Sequence, residues 1–551
     1  MCSSDLSNPW KLLAALLPIL GTFPASPATG QLPAFPGAEG FGALASGGRS
    51  GDVYHVTTLS GSVTTPGSFA YGLKNAPASG RTIVFDVSGN IPIPGNLGIS
   101  QPNLTIAGQT APGDGVALTG GAFWIEKTNI VVRHMRFRNG VNADCLDMSS
   151  GAVNVILDHC DTLFSTDENF SSFGSPPDLM TFQWSANAWG LHPHACGGLW
   201  DVNRATAHHT LWAHHQTRDP KARPNGLLDW INNVTYDYTI GFIMGDSTTP
   251  ADWKANVEGC YFVCPPGNLM KHILSRASLD RYGDPNFSVW MTNCLFDSDG
   301  DLVLDGRAAT WSDVLGSHRV MSNAIPRTGG LPVTQDPPRL AYKKIVSAAG
   351  PLRLDARHPG GLRDEVSTEL IRSLLSWRKD AFTNIAQSGA SAGGYGTLLS
   401  APAPHDGDRD GMPDFWETTT GANPAADDHK AAVPAGAFVP AGYTRLEEYL
   451  QFRAMPHATM NRAETNAPSV LEVDLRRYTA GFTNRPPAVY TVSNVSTGGV
   501  TLAGGTAARF EPPAGFAGRA RFDFGVTDGD GDSWTQTFAV LVSAEIGRAH
   551  V

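Results

Sequence analysis

Residues 129–137 read NIVVRHMRF, residues 154–164 read NVILDHCDTLF and residues 179–189 read LMTFQWSANAW; the spacing of these runs decides the fold. Each is short, β-branched or aromatic, and bounded by Gly, Asn, Asp or Pro, which is strand composition with no sustained helical period. Working outward, similar runs start at 103 (NLTIAG), 205 (ATAHHTLWAHH), 227 (LLDWINNVTYD), 255 (ANVEGCYFV) and 288 (SVWMTNCLFD). Most starts fall roughly 22 to 28 residues apart, the scale of solenoid repeats. One coil cannot bury its apolar side alone, but stacked neighbours can. The reading is therefore all-β, a right-handed parallel β-helix. The alternative is a β-sandwich, whose strands would alternate more cleanly. Similar residues recur at matching places (Cys160, Thr210, Val234, Cys260 and Cys294), as inward stacking would produce.

At 551 residues the chain exceeds one ordinary core, so two or more domains are expected. Its 60 Gly and 39 Pro against 17% charged residues suit a turn-rich β protein. A formal net charge of -11 argues against a nucleic-acid partner. It leaves room for an acidic polysaccharide bound in a local basic cleft. Residues 1–30 read as a secretory leader: Lys11, the apolar core Leu12 to Leu20, then small residues near Ala25 to Ala28. The core is too short for a comfortable membrane span, and no other apolar run approaches the required length. Secretion to the periplasm or beyond is expected, and a monomer. MCSSDL at 1–6 and EIGRAHV at 545–551 read as translated sequencing adapter in opposite orientations and are set aside.

Beyond Cys2 there are six cysteines, at 145, 160, 196, 260, 264 and 294, with no zinc spacing. Export permits disulfides, but burial as small core residues is the favoured reading. Residues 366–385 contain a helix, and Ala401 to Pro404 reads as a linker. The domains are accordingly 31–400 for the β-helix, 401–455 for a short acidic module ending in the helix-like GYTRLEEYLQF, and 466–544 for a small Ig-like or cadherin-like β-sandwich.

Several separate motifs resemble, in order, the secreted bacterial pectate lyases of the first polysaccharide lyase family: FPGAEGFGALASGGRSGDVYHVTTL at 35, RTIVFDVSGNI at 81, LTIAGQTAPGDGVAL at 104 and VILDHCDTLFSTDE at 155. The resemblance covers roughly residues 33–400. It implies a parallel β-helix, calcium, and β-elimination on polygalacturonate. TRDPKARP at 217–224 resembles the family's R-x-P-x-x-R motif through Arg218, Pro220 and Arg223. By that resemblance Arg218 is the base facing the C5 proton, and Arg223 holds the site or contacts substrate. Lys221 stands where Arg is common, keeping the charge without the bidentate fork. Calcium takes hard oxygen ligands. The family pattern places them at Asp144 and Asp167, with Asp147 and Glu168 as neighbouring candidates. The last acidic ligand falls near Ser171 or Ser172, a departure. His194 aligns near a cationic substrate contact, and an internal polar stack is the other reading. Asp158 and His159 organise the coil. His208, His209, His214 and His215 read as stacked histidines in preference to a zinc site.

The lyase reaction removes a proton α to a carboxylate, so charge neutralisation explains both the calcium and the cationic side chains. Arginine's guanidinium stays protonated to about pH 12, so Lys221 or a histidine is a second candidate acceptor. The rivals are a pectin lyase on methylated substrate, a polygalacturonase-type hydrolase, and a non-catalytic carbohydrate-binding or adhesin β-helix. Apart from any resemblance, DGDRDGMPDFWE at 406–417 fits a twelve-residue EF-hand-type calcium loop: Asp406, Asp408, Asp410, Gly411 at the turn, the Met412 carbonyl, Asp414 and Glu417. A structural clamp between domains is expected of it. DGDGD at 528–532 either binds calcium or turns a hairpin.

Overall fold

The computed structural model describes residues 30–544 except 140–142, 150, 173, 175, 246–250, 268–272, 277–285, 317, 380–393, 463–469 and 484. The leader and adapter readings of 1–29 and 545–551 lie outside the described residues, as does the end of the helix read to 385.

The runs form a parallel solenoid. In its first sheet Leu104, Ile130, Val155, Met180, Ala205, Leu228, Ala255 and Val289 are Cα partners one above the next. All eight are buried in one continuous core. A second sheet stacks Leu118, Phe137, Thr162, Asn187, Trp212, Thr235, Phe262 and Phe296 in the same way. A third, shorter row runs through Leu97, Phe123, Leu146 and Phe170. It continues through a bridge from Ser172 to Trp200, then Ala222 and Met244. This last row carries the candidate site.

Between sheets the chain turns at residues with left-handed backbone. His134, His159, Trp184 and His209 have φ of 54°, 52°, 48° and 51°. Such backbone costs about 1–3 kcal/mol in a non-glycine residue. Here it is offset by ring stacking, with centroids 4.9, 6.2 and 4.4 Å apart down the column. His214 stacks likewise on Trp189 at 5.8 Å. The four histidines of 208–215 thus divide between corners and strands and do not gather as a zinc site. His214 reaches Asp237 and Ser373, and His215 reaches Asp219 and Asn169.

The inward small-residue column differs from the sequence reading at one place. Register puts Asn233, not Val234, between Thr210 and Cys260, because Val234 pairs with Leu211 and Tyr261. Asn233 Oδ1 accepts from Thr210 N at 3.0 Å and Thr210 Oγ1 at 2.6 Å, while its Nδ2 donates to Ala207 O at 2.9 Å. The polar amide fits inside because all three bonds are made. The six cysteines from Cys145 to Cys294 are buried thiols.

Both ends of the stack are covered. Helix Phe69–Lys74 lays Phe69 against Phe85 and Phe123 over the first coils. At the far end Leu295–Asp297 pairs antiparallel with Arg307–Ala308. Helices Pro338–Ala348 and Glu365–Leu375 bury Tyr342, Ile345, Leu370 and Leu374 on the outside of the second sheet. Asp364 caps the second of these and binds the buried Arg136 and Arg138.

Helix Asp414–Thr420 begins within the acidic 406–417 loop, and helix Arg445–Arg453 follows, opened by a Thr444/Glu447 capping box. The C-terminal region is a sandwich. One sheet orders His457–Asn461, Ser533–Ser543, Gly518–Thr527 and Val489–Ser493. The other orders Leu471–Asp474, Ala507–Glu511 and Gly499–Ala503. Phe510, Phe522, Phe524 and Phe538 fill the space between. The DGDGD turn holds a side chain of this chain. Lys343 Nζ donates to Asp528, to Asp530 at 3.0 Å and to Asp532 at 2.6 Å, and its side chain is 1% exposed.

Candidate active site

The third row alternates. Ala222 and Pro224 point inward while Lys221 and Arg223 face outward. Register sets Lys221 beside Leu199, Arg223 beside Asp201, and Asp147 beside Ser171. The segment before the strand then brings Arg218 to the same face. Arg218 sits at φ 65°. Its carbonyl accepts from Gly198 N at 2.8 Å, and the Thr217 carbonyl from Gly197 N at 3.1 Å. A Cβ on Gly198 would lie 2.1 Å from the Phe170 carbonyl, and one on Gly197 2.5 Å from Asp219 Oδ1. The paired glycines of HACGG are therefore what allow this close approach.

One oxygen each from Asp144, Asp167 and Glu168 lies within 4.8 Å of the others. Asp144 is pushed up to about 7, first by burial and then by the charge of Asp167. Asp147 is also pushed up to about 7, by burial and then by Asp144 and Glu126. Asp167 is held low by its bond to His194, 2.5 Å away, and His194 is raised by the same contact. Glu168 forms an ion pair with Arg218. Asp144 Oδ1 accepts from Glu168 N at 3.0 Å. The donors are oxygens, and the charge of Asp167 on the buried Asp144 is what a divalent cation would relieve, so Asp144, Asp167 and Glu168 fit calcium. Ser171, at the departure from the family pattern, bonds to Asp144 and to Leu199 N at 3.2 Å, serving as a brace.

The sequence readings Arg218, Lys221, Arg223, His194, Asp144, Asp147, Asp167 and Glu168 all fall on this face. Reasoning on the sequence missed four contributors. Asp201 Oδ2 lies 3.7 Å from Arg223 Nη2, and the Arg223 guanidinium lies 5.7 Å from the Trp253 ring. Asn169 is fully buried; its Nδ2 donates to Ala188 O at 2.7 Å and Asn187 Oδ1 at 3.0 Å, fixing the turn that carries Asp167 and Glu168. Asp219, 2.5 Å from His215, anchors the arginine loop to the solenoid wall. Asn169 could have been suspected from the D-E-N run; the others need the register.

In the second acidic site, Asp406 accepts from Arg409 N at 2.7 Å and Gly411 N at 3.0 Å. Asp410 accepts from Met412 N at 3.0 Å. Asp414 is placed differently from the sequence reading. Its carboxylate takes Gly407 N at 2.7 Å and His405 at 2.8 Å, because it opens a helix and turns back to the chain entering the loop. Asp428, from beyond the loop, joins Asp406, Asp408 and Asp410 in acting on Glu417, which burial first and these four charges next push up to about 9.

A family described as "Bacterial Ig domain" matches residues 455–541. The chain is 34% identical over 448 residues to the "Probable pectate lyase C" of Aspergillus fumigatus, covering 79% of this chain and 97% of that one. The same-named protein of Neosartorya fischeri matches with the same figures. That of Emericella nidulans is 32% identical over 428 residues, covering 76% and 91%. Among solved structures, the cedar pollen allergen jun a 1 gives a TM-score of 0.43 at 18% identity, covering 57% of this chain and 93% of that one. A pectate lyase bound to a hexasaccharide gives 0.42 at 14%, covering 58% and 98%.

Proposed function

This chain belongs to the pectate lyase family, and from that premise we propose that it is a secreted, calcium-dependent enzyme cutting the (1,4)-α-D-galacturonan backbone of homogalacturonan. The observation carrying this reading is the convergence of Asp144, Asp167 and Glu168 beside Arg218, with Lys221 and Arg223 on the same outer row.

As a polysaccharide lyase it removes the proton α to a uronate carboxylate and expels the 4-linked oxygen. The C–H pair becomes the new double bond, the C–O pair leaves with oxygen, and that oxygen takes a proton. Calcium held by Asp144, Asp167 and Glu168, with Asp147 alongside, would neutralise the uronate carboxylate and so ease loss of the α proton. Lys221 and Arg223 present positive charge to carboxylates along the polymer. His194, whose proton affinity is raised by its bond to Asp167, adds a contact at the other edge. Arg218 is the proposed base. Its guanidinium pairs with Glu168, and a protonated guanidinium accepts nothing until it loses a proton. Lys221 is the second acceptor on that row. Hydrolysis would need two carboxyl groups facing each other across an open bond, whereas here the oxygens of Asp144, Asp167 and Glu168 converge within 4.8 Å of one another. In this reading residues 31–400 are the catalytic body, 401–455 a calcium module and 466–544 an accessory sandwich. The absence of a membrane-length apolar helix among the described residues is compatible with export.

The test is polygalacturonate at alkaline pH, with calcium and with chelator. The expected result is a calcium-dependent rise in the ultraviolet absorbance of the conjugated unsaturated uronate. New reducing ends without absorbance would mean hydrolysis. Neither signal, on polygalacturonate or methylated pectin, would mean a binding protein.

A further inference from the structure

Two Asp-x-Asp-x-Asp turns lie beyond the solenoid, at 406–410 and 528–532, and the fold treats them differently. In the 528–532 turn a lysine from helix Pro338–Ala348 supplies the counter-charge. In the 406–417 loop the corresponding place contains a buried acid. Glu417 is 0% exposed, and neither of its carboxylate oxygens has a hydrogen-bond partner among the described residues. Asp408 Oδ2 and Asp428 Oδ1 are buried and equally unpartnered. A buried carboxylate costs several kcal/mol unless a cation meets it. Arg445 does approach, but it donates to Asp428 Oδ2 at 2.8 Å and leaves Oδ1 over.

We propose that the loop Asp406–Glu417 holds a calcium ion through Asp406, Asp408, Asp410, the Met412 carbonyl and Glu417, together with Asp428 from outside the loop, and that this ion fastens the C-terminal modules to the solenoid. The donor set is all hard oxygen from the protein, with a glutamate that can bind through both oxygens, which suits calcium; magnesium usually keeps several waters and is seldom held by an all-protein cage. The fastening follows from what the loop touches. Met412 and Trp416 are buried in one cluster with Ala107 of the solenoid and with Ala539 and Leu541 of the sandwich. On the solenoid side His55 Nε2 lies 3.2 Å from the Arg409 carbonyl and 3.5 Å from Asp406 Oδ2. Asp428 N also donates to Asp410 Oδ2 at 3.1 Å, tying the following segment to the loop. An ion there would order the loop, the Asp428 segment and the Met412–Trp416 packing together. This site is separate from the one beside Arg218 and does not rest on the lyase reading.

The test uses the full-length protein, stripped of metal and dialysed against calcium, with bound calcium counted by atomic emission. In an Asp144→Asn/Asp167→Asn background one calcium per chain is expected to remain, and adding Glu417→Gln removes it. In the otherwise unaltered chain, Glu417→Gln abolishes the calcium-dependent rise in Tm. It also makes protease cutting of the 401–405 segment calcium-independent, where the parent is cut about tenfold faster in chelator. An unchanged calcium count in Glu417→Gln, or a calcium-dependent Tm rise that survives it, overturns the proposal. If Glu417→Gln does not fold, Asp408→Asn, at a half-buried position, is read the same way. None of these measurements uses pectate, so they stand whether or not cleavage is found.

Discussion

Arg218 sits in left-handed backbone with its carbonyl bonded to Gly198 N, and its guanidinium is paired with Glu168 before substrate arrives. Substituting Arg218→Lys keeps the charge and loses the planar fork. Turnover on polygalacturonate should fall about 10²–10⁴-fold, the usual weight of a positioned proton-transfer group, with the far-ultraviolet circular dichroism and the cooperative melt retained. Near-parental turnover would move the base to Lys221. The chemistry-bearing residues were legible because Arg218, Arg223, Asp144 and Asp167 sit in local motifs whose spacing can be read in one dimension. Asp201, Trp253 and Asp428 were not, because each meets its partner across coils or from a later segment. Asp414 misled for the opposite reason. Its spacing is right, but the helix it opens turns its carboxylate toward Gly407 and His405.

Among the elements, the coil corners and inward columns do the stacking. Asn233→Ala should cost about 1–3 kcal/mol for each polar group left unpaired, here Thr210 N and Ala207 O. Urea unfolding would show it as a lowered midpoint. The repeating runs made the coils legible, yet the one-residue slip between Val234 and Asn233 was not, since periodicity alone does not say where the corner at Asn232 (φ 51°) resets the register. The His134 corner has an acid sensitivity of its own. Burial, then the neighbouring His159, hold His134 well below the usual imidazole value, so it is neutral in the fold. On unfolding it takes up a proton below about pH 6.5. The unfolded chain then binds more protons, and this residue's share of stability is lost as pH falls. His134→Phe keeps the ring in the stack and removes the proton site. Its stability relative to the parent should improve below about pH 6.5, by up to about 1.4 kcal/mol per pH unit. Urea midpoints of both proteins at neutral and mildly acidic pH check this, and a constant difference would mean that His134 binds protons equally in the folded and unfolded chain.

For the whole molecule, the joint between sandwich and solenoid turns on Lys343. Its Nζ meets three aspartates while Trp534 stacks on Trp184 at 6.5 Å. Lys343→Met leaves Asp528 buried without its counter-charge and should cost about 3–5 kcal/mol. Calorimetry should then show the sandwich melting in its own transition ahead of the solenoid; one unchanged transition would mean that apolar packing carries the joint. The end caps have a different consequence, for the fate of the protein in a crowd. A stack of parallel coils is an open template, since its last strand offers the same pattern of donors and acceptors to any incoming copy. Here the terminal strand Leu295–Asp297 is met by Arg307–Ala308 running the other way, and Phe69 plugs the opposite mouth. A second chain arriving end-on finds a filled mouth at one end and, on the second sheet, reversed polarity at the other; only the short exposed strand Arg319–Val320 of the first sheet keeps the parallel sense, so growth into fibrils has little edge to start from.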